Sequence, residues 1–165
     1  MSDTQSPAAS PDNPYAKPRA AYYALGLLTV VYSINFIDRQ LLAILQESIK
    51  AELGLSDGQL GLLTGFAFAV FYVTAGIPIA KWADHSNRRN IVALSLAVWS
   101  GMTAISGLVA NYAQLLAARI GVGVGEAGGS PPSHSMISDI FPPHRRASAL
   151  GLYSMGVNIG ILFGF

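Results

Sequence analysis

The segment GVGVGEAGGSPP, residues 121–132, decides between two folds. Its glycines Gly123, Gly125 and Gly128 have the G-x-G-x-x-G spacing of a dinucleotide-binding turn. Such a turn needs a preceding strand, a following helix and an acidic residue about 20 positions later. The preceding residues YAQLLAARI have a helical pattern, and the downstream acid Asp139 lies too near. The segment therefore favours a helix that packs through small residues, and a nucleotide-binding enzyme is the less favoured alternative.

The composition of the chain indicates a membrane protein. Its 165 residues are 52% hydrophobic and 12% charged, whereas a soluble domain is about 25% charged. The net charge of +1 argues against a nucleic-acid partner, which would need a clustered basic face. The chain contains no cysteine, and its isolated histidines lack the spacing of metal ligands. We therefore expect no metal and no cofactor.

Apolar blocks organise the chain. Residues 1–18 are rich in Pro, Ser, Ala and Asp and are predicted to form a disordered tail rather than a signal peptide. Residues 19–165 then form a partial bundle of five apolar blocks, each near the roughly 20 residues that span a bilayer. The fold class is thus predicted to be an all-α membrane protein. The predicted helices cover residues 20–45, 58–80, 91–110, 112–137 and 147–165.

The distribution of basic residues predicts the orientation in the membrane. Seven lie at the ends of spans on one side, and only Lys50 lies in a loop on the other. The positive-inside rule therefore places the amino terminus in the cytoplasm of a multi-pass cell (inner) membrane protein. The seven residues are Lys17, Arg19, Lys81, Arg88, Arg89, Arg145 and Arg146.

The last apolar block, GLYSMGVNIGILFGF, ends without a flanking charge or aromatic anchor. We therefore expect the chain to be a fragment of a longer protein. Glycines at four-residue spacing are predicted to support close packing of helices. They are Gly121 and Gly125 in the fourth block, and Gly156, Gly160 and Gly164 in the fifth. Pro131 and Pro132 are predicted to interrupt or kink the fourth helix near its cytoplasmic end.

Four ionisable side chains lie inside the predicted spans: Asp38, Arg39, Arg119 and Glu126. A charge at membrane depth costs about 2.5–3.5 kcal/mol, so all four should face protein or a water-filled cavity. A rise of 1.5 Å per residue places Asp38 and Arg119 both about 8 Å outward of the membrane centre, with Glu126 near the middle. This layout allows Asp38 to pair with Arg119, and Glu126 to pair with Arg39 or take a proton.

Two interpretations of these charges stay open. They either form structural ion pairs between the first and fourth helices, or they form a proton or substrate relay. In a relay, a carboxylate near the membrane centre is neutral when desolvated and ionised when a cavity opens to water. Both interpretations require the same contacts.

The loop AKWADHSNRR resembles the cytoplasmic signature G-x-x-x-D-R-x-G-R-R of the major facilitator superfamily. Asp84, Arg88 and Arg89 match the signature, whereas Ala80, His85 and Asn87 depart from it. Three further segments resemble the spinster type of lipid transporter within this family. They are NFIDRQLL, LSDGQLGLLTGFAFAVFY and RIGVGVGEAGGSPPSHSMISDIFPPHRRASALG.

The resemblance implies the major facilitator fold, with these residues supplying the first five helices of an N-terminal six-helix bundle and the C-terminal half missing. Such transporters rock two halves around a central site by alternating access. The resemblance implies that Asp38 and Glu126 are the protonatable pair, with Arg39 and Arg119 as their partners or as contacts for an anionic group. It also implies that Asp84, Arg88 and Arg89 belong to a cytoplasmic gate.

The function expected from the resemblance is proton-coupled secondary transport of an amphipathic lipid or an organic anion. Eight aromatic residues either line a cavity for an acyl chain or face the bilayer: Tyr22, Tyr23, Tyr32, Phe36, Phe66, Phe68, Phe71 and Tyr72. The fragment is not expected to transport alone. The alternative from a different class is a small structural membrane protein that assembles as an oligomer.

Overall fold

The computed structural model describes residues 18–165, and these residues form helices without any strand. The tail predicted to be disordered therefore lies, up to residue 17, outside the described residues. The helices are α1 (Pro18–Leu53), α2 (Asp57–Gly61), a π-helical turn (Leu62–Phe66), α3 (Ala67–His85), α4 (Arg88–Ser106), α5 (Tyr112–Ala127), α6 (Ser130–Ile140) and α7 (Pro143–Gly164). The all-α prediction is confirmed, and the nucleotide-binding alternative is wrong because Gly123 and Gly125 of the motif lie within α5 and no strand precedes them in residues 18–165.

Local sequence signals set the helix boundaries. α1 ends before Gly54, whose φ of 62° is the left-handed conformation that glycine adopts most readily. Ser56 then caps α2, and Gln59 completes a capping box by accepting a hydrogen bond from the Ser56 backbone N–H. Asn87 and Asn111 cap α4 and α5 in the same manner, because each side chain accepts a hydrogen bond from a backbone N–H of the first turn.

The ends of the predicted spans differ from the ends of the helices. α1 extends to Leu53 rather than residue 45, and the second helical stretch runs without interruption over Asp57–His85. This stretch, Pro18–Leu53 and Pro143–Gly164 are the three parts of the described chain that are long and apolar enough to cross a membrane. α4 and α5 are not among these three parts. α4 begins with two arginines, and α5 has only 16 residues.

The fourth predicted span is two helices instead of one. α5 ends at Ala127, and α6 begins at Ser130 and continues to Ile140, beyond the predicted end at residue 137. The break lies at Gly128 and Gly129, before the prolines that were expected to cause it. Pro131 and Pro132 instead occupy the first turn of α6, where the N–H that proline lacks would have no partner in the helix.

Two groups of helices pack closely within the bundle. α1 packs against α7, and α5 packs against both α3 and α4. The first group meets the second through a buried apolar cluster near the end of the bundle that holds Arg88, Arg89, Arg145 and Arg146, which we call the basic end. The cluster consists of Leu25, Leu28, Val92, Ile137, Phe141, Ala149 and Tyr153.

Glycines allow the close approach within each group. A Cβ atom added at Gly160 of α7 would lie 2.5 Å from the Ser33 carbonyl oxygen of α1, and one added at Gly156 would lie 2.9 Å from the Thr29 carbonyl oxygen. In the other group, a Cβ atom at Gly125 of α5 would lie 2.7 Å from the Trp99 backbone nitrogen. These neighbours are backbone atoms, so the helices would have to separate to admit a side chain.

Gly160→Ala is expected to lower the free energy of unfolding by about 1–3 kcal/mol, the range for overpacking a well-packed core. Gly151→Ala in the same helix is the matched control, because a Cβ atom there meets nothing within 4 Å and alanine has the higher helix propensity. Thermal unfolding of the detergent-purified protein measures both changes. Equal melting temperatures for the two variants would contradict the close α1–α7 contact.

Candidate functional site

Arg39 of α1 and Glu126 of α5 form an ion pair inside the bundle. Arg39 donates hydrogen bonds from Nε at 2.9 Å and from its Nη2 nitrogen at 2.6 Å, both to Glu126 Oε2. The Glu126 side chain is 1% exposed and that of Arg39 is 36% exposed. Glu126 was predicted to pair with Arg39 or to take a proton, and the structure contains the pairing with Arg39.

Three aromatic rings surround the Arg39 guanidinium group. Its Cζ atom lies 5.1 Å from the ring centre of Phe36, 4.9 Å from that of Phe68 and 5.5 Å from that of Tyr72. A guanidinium group at such distances is attracted by the electron-rich ring faces. Residues of the first and second predicted spans thus hold the charged head of Arg39 beside Glu126. These three aromatics were among the eight for which the sequence left cavity lining open.

The second carboxylate oxygen of Glu126 is in a different environment. Glu126 Oε1 is buried and has no hydrogen-bond partner among residues 18–165. Asn35, itself buried, faces the Glu126 carboxyl group from α1. A buried carboxylate normally has hydrogen bonds at both oxygens, so Oε1 is the position at which this group would accept a proton.

Asp38 and Arg119 line a second part of the site. They border a cavity of about 280 Å³ between α1, α4 and α5, at the end of the bundle opposite the basic end. Leu41, Leu42 and Leu115 contribute apolar lining. Asp38 and Arg119 do not form a direct ion pair within the described chain, so the predicted pairing of these two residues is replaced by a shared cavity.

Arg119 connects the two parts of the site. It also lines a smaller cavity, of about 170 Å³, together with Arg39, Phe68 and Glu126. The Arg119 charge interacts with both carboxylates, Glu126 and Asp38. The four charges predicted to face inward are therefore clustered, with Arg119 between the two acids.

At the basic end, the structure pairs Arg88 at the start of α4 with Asp139 at the end of α6. Asp139 served in the sequence predictions only as evidence against a nucleotide site, so its pairing with Arg88 was not predicted. The sequence signal that could have indicated this pairing was the position of Asp139, two residues before Phe141 and at the same end as the basic residues. Asp84 is exposed and makes no ion pair with any residue from 18 to 165, and Arg89 is exposed as well.

The comparison with known families fits this arrangement. Residues 28–165 match the model described as Major Facilitator Superfamily. This chain belongs to the major facilitator superfamily. The family consists of integral membrane transporters, and the similar proteins below are transporters rather than enzymes.

The spinster resemblance is confirmed by a solved structure, a bacterial homologue of the human lysosomal transporter spinster in an inward-facing, unoccupied conformation. The two chains are 48% identical with a TM-score of 0.84, over 87% of this chain and 30% of the other. The match thus covers less than a third of that homologue's length.

Three curated relatives carry different names. An MFS-type efflux pump of Mycolicibacterium smegmatis is 38% identical over 85% of this chain and 33% of its own. A probable L-galactonate transporter of Escherichia coli is 33% identical over 84% of this chain and 30% of its own. A sphingosine-1-phosphate transporter of Xenopus tropicalis is 29% identical over 99% of this chain and 32% of its own. This chain thus spans about a third of the length of these relatives.

Arg39→Gln is expected to destabilise the protein by about 3 kcal/mol, because it leaves the buried Glu126 carboxylate without its partner. Adding Glu126→Gln is expected to recover most of that loss, since no uncompensated charge then remains buried. A double-mutant cycle on melting temperature, at a pH where free carboxyl groups are ionised, measures the coupling. Additive effects of the two substitutions would show that the pair does not contribute to stability.

Proposed function

We propose that this chain is the N-terminal part of a proton-coupled secondary transporter that moves an anionic or amphipathic substrate by alternating access. The observation that carries the proposal is the asymmetry of Glu126. One oxygen accepts two hydrogen bonds from Arg39, and the other is buried without a partner among residues 18–165. Proton binding at Oε1 would neutralise the carboxylate and weaken its hold on Arg39.

The mechanism follows from the distribution of four charges. While Glu126 is ionised, it neutralises Arg39. Once Glu126 is protonated, the positive charge of Arg39 beside the smaller cavity is no longer compensated, and an anionic group of the substrate can replace the carboxylate as its partner. Binding of the proton and binding of the substrate would then favour each other.

Asp38 is proposed as the second protonatable group, because it borders the larger cavity on the far side of Arg119. A proton leaving either acid restores a negative charge beside Arg119. The arginine therefore responds to the protonation of both acids, which links their occupancy without a direct bond between them.

The placement of the chain in the membrane is part of this proposal. The basic end would face the cytoplasm according to the positive-inside rule. The predicted spans would cross the cell (inner) membrane, and the remainder of a longer protein would supply the sixth helix of this half and the whole second half. The substrate would then bind near the membrane centre between the two halves.

Two classes of substrate have support from the named relatives. The names of two relatives refer to an anionic sugar acid and an anionic lipid, L-galactonate and sphingosine-1-phosphate. Both ligands present a negatively charged group that Arg39 and Arg119 could bind. The leucine lining beside Asp38 favours a ligand with an apolar portion, so an amphipathic lipid is the first candidate and a small organic anion the second.

The experiment on coupling uses the full-length transporter in proteoliposomes with an imposed pH gradient. Glu126→Gln and Asp38→Asn preserve side-chain shape and remove titration, so gradient-driven accumulation is expected to disappear, while counterflow at equal pH persists. Glu47→Gln is the matched control, because Glu47 is an exposed carboxylate on α1 outside the charge cluster. If both cluster variants still accumulated substrate with the gradient, the charges would have only the structural role.

The cytoplasmic gate is proposed to include Asp84, Arg88 and Arg89. Arg88 is already engaged by Asp139, which fixes the start of α4 relative to α6. Asp84 is exposed on the last turn of α3, so it is available for a partner in the second half of the transporter.

Asp84→Asn is expected to lower the transport rate severalfold, because the loss of an exposed ion pair with the second half would change the free energy by about 1 kcal/mol or less. The melting temperature of this half is expected to stay unchanged, because Asp84 makes no ion pair within residues 18–165. Arg89→Gln is expected to act in the same direction. Initial uptake rates and thermal unfolding of each variant provide the two measurements. Unchanged uptake in both variants would limit these residues to setting membrane topology.

A further inference from the structure

Trp99 of α4 is a buried residue with an unused hydrogen-bond donor. Its side chain is among the largest that are fully buried, with 1% exposure, and its indole Nε1 has no hydrogen-bond partner within residues 18–165. One helical turn later, the hydroxyl of Thr103 is buried and also lacks a partner in that range. Buried polar groups are normally paired, so two orphaned groups on one helix face require an explanation.

Both groups face Asp38. Residues four apart share one face of a helix, and Thr103 lines the cavity of about 280 Å³ together with Asp38 and Arg119. The Asp38 carboxyl group interacts with both the Trp99 indole and the Thr103 hydroxyl. Arg119 Nε is a third buried donor without a partner in the described chain.

The chemistry of the four groups is complementary. The indole and the guanidinium groups are donors only, the hydroxyl can donate, and an ionised carboxylate is purely an acceptor. The Trp99 indole and the Thr103 hydroxyl both interact with the Asp38 carboxyl group, so they are the donors that an ionised Asp38 would engage.

The position of Trp99 is fixed by the backbone. α4 approaches α5 so closely at Gly125 that an added Cβ atom would lie 2.7 Å from the Trp99 nitrogen and 2.9 Å from its Cβ atom. The indole is therefore held in place by the same helix pair that carries Arg119 and Glu126. A fixed donor stabilises a charge more effectively than one that must first be ordered.

We propose that Trp99 and Thr103 are positioning residues that donate hydrogen bonds to ionised Asp38 and set the pH at which it exchanges its proton. The proposal rests on the role of Asp38 in the proposed function. The other charged groups facing Asp38 are Arg119 and Glu126 from α5, and Glu52 of α1 lines the same cavity.

Trp99→Phe and Thr103→Val test the proposal in the full-length transporter, since they remove a donor and retain most of the side chain. Donors stabilise the ionised form of a carboxylate, so the pH of half-maximal coupled transport is expected to shift upward by about one unit, a tenfold change in proton affinity. Thr103→Ser retains the hydroxyl and should leave the profile unchanged. Trp82→Phe is the matched control, because Trp82 is 50% exposed.

The outcomes separate this inference from the proposed function. Unshifted pH profiles in Trp99→Phe and Thr103→Val, together with loss of coupling in Asp38→Asn, would overturn the positioning role and leave the proton role of Asp38 in place. Retained coupling in Asp38→Asn would overturn the proposed function. If Trp99→Phe fails to fold, the Thr103→Val and Thr103→Ser profiles decide, because an equal shift in both would contradict a role for the hydroxyl.

Discussion

The bundle depends on keeping two opposite charges together where water is scarce. Arg39 and Glu126 join α1, which packs with α7, to α5, which packs with α3 and α4. Removing the Arg39 charge alone would leave the Glu126 carboxylate buried without compensation, at a cost of several kcal/mol. A change in the protonation of Glu126 would therefore alter the interaction between the two groups of helices.

The environment of this pair comes from backbone packing. Glycines let α5 approach α4 and let α7 approach α1 at distances that exclude a side chain, and this close packing keeps Glu126 almost completely buried. The aromatic rings around Arg39 come from α1 and α3. Close helix contacts at small residues thus give the charged residues low-dielectric surroundings. In such surroundings, the binding of a single proton would change the electrostatic energy strongly.

Much of the fold could be predicted from the sequence, because apolar length and glycine spacing act locally. The all-α class and the choice of four charges as inward-facing candidates came from such local patterns. The helix break was predicted at Pro131 and Pro132 but lies at Gly128 and Gly129. Proline tolerates the first turn of a helix, so its position alone does not distinguish a kink from a new start.

The sequence by itself determined which residues are costly to place in a bilayer, since charge and hydropathy belong to each residue and its near neighbours. The tertiary structure alone decided the partners: Arg39 with Glu126, Arg88 with Asp139, and Asp38 beside a cavity instead of in a direct pair with Arg119. The physical reason is that these partners lie 87 and 51 residues apart along the chain in the two pairs. Their contact depends on the rotation and separation of whole helices, which local patterns do not specify.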